Sequence, residues 1–332
     1  MDPRRNPYTP NAGARPPALV GRDEQIEAFD VLLHRLALGR PQQSMIITGL
    51  RGVGKTVLLG AFRDTAIERG WVTVEAEVSK NSDFADRMAR YARRALLELS
   101  RSERWRERGK AAAAVVKSFT LTFNPDGSLA AGLDTDPARG RADSGDLADD
   151  MTDLLVALGE AAEETGAGVV FLFDEVQYLS VAEFEALIAG MHKTVQRSLP
   201  ITFVGAGLPQ IPRLAGEAKS YSERLFTFPV IGRLHPSEAR EALVKPAENE
   251  GVTFESAAAD AVVAYTEGYP YFIQEYGKVL WDQATGPSVT SADVASARAI
   301  VEDRLDESFF RVRAERTTPL ELQYMRAMAE LG

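Results

Sequence analysis

The sequence predicts an α/β fold in which a parallel sheet flanked by helices carries a phosphate-binding loop, with a helical unit following it in the chain. Three observations predict it. Gly49-Leu50-Arg51-Gly52-Val53-Gly54-Lys55-Thr56 reads G-x-x-x-x-G-K-[ST], and it stands between an apolar strand-like run (Met45, Ile46, Ile47) and a helical pattern. Gly168-Val169-Val170-Phe171-Leu172-Phe173 is a continuous apolar run suited to the middle of a parallel sheet, and it ends in Asp174-Glu175. From His235 onward strand signals disappear and helical periodicity takes over.

Residues 1–18 are rich in Pro, Asn and Gly and read as an extended arm, without the apolar core of a signal peptide. The first helix starts near Asp23, with Ile26, Phe29, Leu32 and Leu33 on one face. After the loop, Val57, Leu58, Ala61, Phe62 and Ile67 recur at helical spacing up to Gly70, a helix stop. Trp71, Val72, Val74, Ala76 and Val78 form the next strand, and Phe84, Met88, Tyr91, Ala95, Leu96 and Leu99 the next helix.

Residues 100–146 do not fit a strand-helix repeat. Phe119, Leu121 and Phe123 alternate, Asn124-Pro125-Asp126-Gly127 is a strong turn, and Leu129, Ala131 and Leu133 alternate again, so a β-hairpin insertion is expected. A helix over 147–164 leads into the 168–173 strand. Ser180 and Glu183 form a capping box opening a helix to about Arg197, and Pro200 marks entry to a strand over 201–204. Helices follow over 236–249, 256–267, 269–284 and 290–313, the last capped by Thr290 with Asp293. The expected organisation is an arm (1–18), a core (19–234, with its insertion near 100–146), a helical unit (235–315) and the start of a further amphipathic helix in 316–332.

The loop's chemistry follows from its residue types. Gly49, Gly52 and Gly54 let the backbone N–H groups of Leu50, Arg51, Val53 and their neighbours turn inward around a polyphosphate, and the helix beginning there, through Val57, points its partial positive end at the anion. Lys55 is expected to reach the β- and γ-phosphates and the Thr56 hydroxyl to hold Mg²⁺. Two carboxylates at a strand tip repel each other without a cation, so Asp174 is the expected second Mg²⁺ contact and Glu175 the group that orients or deprotonates an attacking water. A dedicated acceptor pocket, as a metabolite kinase needs, has no mark in the sequence.

The 332 residues carry a net charge of −10 and no cysteine, which excludes disulfides and thiolate metal sites. His34, His192 and His235 are scattered, leaving no zinc cluster, and no stretch approaches the roughly 18 apolar residues of a membrane span. A cytoplasmic protein without membrane contact is expected. Arg87, Arg90, Arg93, Arg94, Arg101, Arg104, Arg106, Arg108, Lys110 and Lys117 form a basic block, followed by an acidic one with Asp134, Asp136, Asp143, Asp146, Asp149, Asp150 and Asp153. The blocks either neutralise each other across the insertion or, with Trp105, leave a surface for DNA or a protein partner.

Val20-Gly21-Arg22-Asp23-Glu24 resembles the h-G-R-x-E segment upstream of the loop in STAND-type NTPases and origin-recognition-like AAA+ ATPases, and Gly268-Tyr269-Pro270 resembles the G-x-P motif of their lid. With the loop and Asp174-Glu175, four motifs stand in the order of that family. The resemblance implies an ASCE-type P-loop core with a helical lid and ATP with Mg²⁺ held between them. Val20, Gly21 and Arg22 would then lie near the adenine and Pro270 would close over it. Ser222-Glu223-Arg224-Leu225-Phe226 resembles the neighbourhood of an arginine finger, which would make Arg224 a contribution to a neighbouring copy in a homo-oligomer; a local ion pair with Glu223 or another acid is the alternative.

The chain also departs from the family. Phe203-Val204-Gly205-Ala206-Gly207 ends the fourth strand without the usual polar γ-phosphate contact, and Gly268-Tyr269-Pro270-Tyr271-Phe272 offers no lid arginine. The implied activity is Mg-dependent hydrolysis of ATP to ADP and phosphate, slow in rate and coupled to core-lid motion, with a nucleotide-occupancy switch or a DNA-associated ATPase as alternatives. The helix starting near Thr318 either opens a winged-helix domain, as in related ATPases, or packs on the lid.

Overall fold

The computed structural model describes residues 1–11, 13–80, 83–100, 107–124, 133, 135–315 and 317–331. The chain divides into two compact units, Arg22–Gly232 and a second made of Met1–Gly21 with Arg233–Gly332.

In the first unit α1 (Asp23–Ala37) buries Phe29, Leu32, Leu33 and Leu36. Then come β1 (Ser44–Thr48), α2 (Lys55–Glu68), β2 (Val72–Glu77), α3 (Phe84–Ser100), α4 (Glu107–Phe123), α5 (Leu147–Thr165), β3 (Val169–Asp174), α6 (Val181–Gln196), β4 (Ile201–Gly207), α7 (Ile211–Ala218), α8 (Ser222–Leu225) and β5 (Phe226–Thr227). The sheet order is β2-β3-β4-β1-β5 and every pairing is parallel. β1 and β4 are buried along their whole length, as the unbroken apolar runs require of strands covered on both faces. β4 runs between the strand that precedes the phosphate loop and the strand that ends in Asp174. This is the α/β class expected from the sequence.

The expected hairpin is not there. Phe119, Leu121 and Phe123 lie in α4, which buries Ala112, Ala113, Val115, Val116 and Phe119. Those positions recur at three and four residues, a helical face, and the run Lys110-Ala111-Ala112-Ala113-Ala114 has high helix propensity, so the helix propagates through the short alternation that follows. Residues 125–132, which include the expected turn and most of the second arm, lie outside the described residues. The acidic block meets the basic one at its far end, where Arg108 pairs with Glu163 and Glu164 accepts from Arg108 and Gly109 N–H, while its earlier carboxylates serve local turns and caps. Asp146 caps α5 by accepting from Ala148 and Asp149 N–H, Asp143 accepts from Gly140 N–H, and buried Asp150 accepts from Ser144 and Gly145 N–H.

In the second unit α9 (Pro236–Asn249), β6 (Thr253–Phe254), α10 (Ser256–Thr266), α11 (Pro270–Gln283), β7 (Ser288–Val289) and α12 (Ser291–Leu305) are followed by one wide turn (Asp306–Phe310), α13 (Arg311–Ala314) and α14 (Pro319–Leu331). The parallel pair β6–β7 was not expected; two residues per strand are too short for any alternation to register. The expected 290–313 helix is interrupted where Phe309 and Phe310 turn onto Phe272. α14 buries none of its residues fully, and Leu320, Tyr324 and Met328 are exposed. Among the described residues no helix is long and apolar enough to cross a membrane.

The N-terminal arm belongs to this unit. Tyr8 is 3% exposed, its hydroxyl donates to Leu243 O, and its ring covers Gly277, where any Cβ would lie 2.3 Å from the ring. Asn6 donates to Lys278 O at 3.1 Å and to Asp282 at 2.8 Å, Arg5 pairs with Glu250 at 2.7 Å, and Trp281 Nε1 donates to Asp2 O at 2.9 Å. The arm's polar composition hid this role, because one aromatic residue supplies its anchor. Tyr8→Ala should therefore destabilise the helical unit by about 3 kcal/mol, the usual cost of truncating a buried aromatic; a urea midpoint within error of wild type would show that the arm's docking is incidental.

Candidate functional site

The phosphate loop is built by backbone constraints at the end of β1. Gly52 (φ 84°) and Gly54 (φ 92°) take left-handed conformations that turn the chain into α2. A Cβ at Gly49 would meet Ile231 O at 2.4 Å, so only glycine lets the loop pass this close to the following strand segment. That segment is pinned to β1 from both sides, with Thr48 N–H donating to Pro229 O and Ile231 N–H to Thr48 O, each at 2.9 Å. Gly49 N–H donates across to Gly207 O, the last residue of β4, at 3.2 Å.

Lys55 begins α2 and is buried. Its ammonium donates to Gly49 O at 3.0 Å and Leu50 O at 2.8 Å, holding the head group inside the loop it is expected to serve. Burial pushes its pKa down, opposed by the negative charges of Asp174 and Glu175. Thr56 donates from its hydroxyl to Asp174 Oδ2 at 2.5 Å. Burial also pushes the Asp174 carboxyl above its ordinary range, against the hydrogen bonds from Thr56 and from Glu175 N–H. A hydroxyl and a carboxylate side by side, the latter short of compensating positive charge, are a hard-oxygen donor set that fits Mg²⁺. Thr56 and Asp174 are the residues that would hold it.

Glu175 follows at the tip of β3 in a left-handed conformation, φ 56°, which costs a non-glycine residue roughly 1–3 kcal/mol. It starts a tight helical turn, Val176–Tyr178. Its carboxylate accepts from Gln177 Nε2 and lies 3.9 Å from the Arg51 guanidinium, which also donates to the Tyr178 hydroxyl at 3.1 Å. Sequence reasoning passed over Gln177 and Tyr178. Their only signal was adjacency to the acidic pair.

The remaining expected residues fall in different places. Arg22 is buried and donates to Val53 O at 3.1 Å and Gly232 O at 2.8 Å. It thereby ties the phosphate loop to the last residue of its unit. Val20 packs on the core of the helical unit, Gly21 lies in that same unit, and Pro270 is the first residue of α11, where a missing N–H costs nothing. Val57 continues α2. Arg224 is exposed on α8 and makes no ion pair among the described residues, so the local pairing weighed above is not what holds it. In the basic block Arg90 pairs with Asp86 and Arg108 with Glu163, while Arg101, Arg104, Trp105 and Arg106 lie outside the described residues.

Residues 18–204 match the family model described as AAA ATPase domain. Among solved structures the chain is similar to the Aeropyrum pernix Orc1 protein in complex with DNA (16% identity, 91% of this chain and 71% of that one, TM-score 0.48). It is also similar to the Thermotoga maritima RuvB Holliday junction branch migration motor (17%, 86% and 72%, TM-score 0.48) and to C. elegans PCH-2 (13%, 86% and 69%, TM-score 0.46). No curated protein matches the sequence.

The close approach at Gly49 sets a test of the loop itself. Gly49→Ala should lower the thermal midpoint by several degrees, since a backbone oxygen cannot move aside as a side chain can and overpacking costs about 1–3 kcal/mol. An unchanged midpoint would mean the loop passes Ile231 more loosely than the structure has it.

Proposed function

The chain belongs to the AAA ATPase domain family, and from that premise we propose that it binds ATP in the 49–56 loop and hydrolyses it to ADP and phosphate. The observation that carries this reading is the hydrogen bond from Thr56 to Asp174, which brings the loop and the acidic strand tip to one point. Mg²⁺, held there by Thr56 and Asp174, would neutralise charge on the phosphate oxygens. The loop's N–H groups and the start of α2 bind the polyphosphate, and Lys55 offers the γ-phosphate a desolvated positive charge. Glu175 takes the proton from a water as its oxygen bonds to the γ-phosphorus, while the bond to the β,γ-bridging oxygen breaks and ADP leaves with that oxygen.

Glu175→Gln should reduce turnover by about 100-fold or more while ATP stays bound, because the amide keeps the shape and loses the base. Stripping divalent cation with a chelator should remove turnover in wild type as well. Equal turnover in wild type and Glu175→Gln would sink the assignment of Glu175. One observation favours a second reading, in which occupancy alone is the signal and turnover is incidental. β4 ends in Gly205-Ala206-Gly207 with no polar side chain to meet a γ-phosphate. Under that reading Glu175→Gln would leave the protein's output intact.

Arg224 supports a homo-oligomer. An exposed guanidinium at the end of a short helix leading into β5, unpaired among the described residues, suits a γ-phosphate presented by another copy. Arg224→Ala should cut turnover by about 10³-fold, the usual worth of an arginine finger, with the oligomeric mass unchanged in light scattering. Full turnover in a strict monomer would remove this role.

A further inference from the structure

We propose that Gln177 is the positioning residue for Glu175, completing a hydrogen-bonded chain from the phosphate loop to that carboxylate. This rests on the reading of the site as an ATP-hydrolysing one.

The chain of contacts runs through one peptide group. Gly49 N–H, at the start of the phosphate loop, donates to Gly207 O at 3.2 Å. The N–H of that same peptide unit, on Leu208, donates to Gln177 Oε1 at 3.1 Å. Gln177 Nε2 then donates to Glu175 Oε2. The amide's orientation is not arbitrary, because a backbone N–H can only donate and an ionised carboxylate can only accept, so the oxygen must face Leu208 and the nitrogen Glu175. Hydrogen bonds linked in this way polarise one another, and the end groups are fixed relative to each other more firmly than any one bond would hold them.

The residues around Gln177 make room for it. A Cβ at Gly207 would lie 2.4 Å from Gln177 Oε1 and 2.3 Å from Ile211 Cδ1. The small residues that end β4 are therefore what allows a side chain from the neighbouring turn to reach its backbone. A strand tip with a polar side chain of its own would close that path. The departure in the sequence and the glutamine after the acidic pair are two halves of one arrangement: the strand gives up its side chain and Gln177 crosses over to read its N–H.

Glu175 needs such a partner. Its left-handed backbone, φ 56°, aims the carboxylate from a turn instead of a strand. Among the described residues, the Arg51 guanidinium stands 3.9 Å from its carboxylate and Gln177 is in direct hydrogen-bond contact with it. Without Gln177 the contact left to the carboxylate among the described residues is the more distant guanidinium, which also serves Tyr178.

The test is a double-mutant cycle on the full chain, measuring steady-state kcat and KM for ATP, ATP affinity by calorimetry and the thermal midpoint. Gln177→Met keeps the length and removes both hydrogen bonds. It should lower kcat by about 10-fold or more with KM and ATP affinity within about threefold, as loss of a contact that matters chiefly in the transition state does. In the Glu175→Gln background the same substitution should change the residual turnover by less than about twofold, because a residue that acts through Glu175 has nothing left to act on. A purely structural role would lower turnover equally in both backgrounds and would overturn the proposal, as would a single substitution that leaves kcat unchanged. If Gln177→Met does not fold, Gln177→Glu takes its place, since it still accepts from Leu208 but meets Glu175 with a like charge, and the same loss of kcat is expected. Wild type that binds ATP without turning it over would sink the hydrolysis reading and this inference together. Wild type that turns over ATP beside a Gln177→Met variant of equal kcat would sink this inference alone.

Discussion

The hydrogen bond between Thr56 and Asp174 joins the ends of two strands that are not neighbours in the sheet. β1 leads into the loop that carries Thr56, β3 ends in Asp174, and β4 runs between them. The two tips are thus two strand spacings apart, about 10 Å at the usual separation of paired strands. Crevices of this kind, at the carboxyl ends of parallel strands, are where α/β sheets accept ligands. In this chain the intervening strand ends in Gly205, Ala206 and Gly207, which add almost no bulk between them.

Burial gives the site its electrostatic character. Lys55 and Asp174 are each pushed toward their neutral forms by desolvation, and each is drawn back by the other's charge. Buried charges that are only partly compensated bind a complementary ion strongly, because most of their desolvation has already occurred in folding. A polyphosphate with its cation supplies both missing signs at once. Arg22 extends the same logic away from the site: a buried guanidinium is retained where it ties Val53 in the loop to Gly232 at the end of its unit.

Several features were legible in the sequence because their causes are local. The loop announces itself through glycines that need positive φ, β3 through an unbroken apolar run, and the 180–183 and 290–293 helix starts through side chains that reach only three residues. The 119–133 hairpin failed for a related reason. Three alternating apolar residues are compatible with a strand, but they continue a helical face that began at Ala112, and the longer pattern prevails. The acidic block was only partly legible, since a count of charges does not distinguish a carboxylate such as Glu163, which meets Arg108, from those such as Asp143 and Asp150 that cap their own loop. In the N-terminal arm, low apolar content concealed a single buried aromatic.

By itself the sequence determined the phosphate loop, the acidic strand tip and the change from α/β to helical architecture, because each rests on residue types at fixed short spacing. Tertiary structure alone decided what those pieces do to one another. Thr56 meets Asp174 across 118 residues, and Leu208 meets Gln177 across 31. Such contacts depend on strand order and on which small residues leave space, and no local pattern encodes either. A glutamine after an acidic pair and a glycine at a strand end look unrelated until the sheet places one against the other.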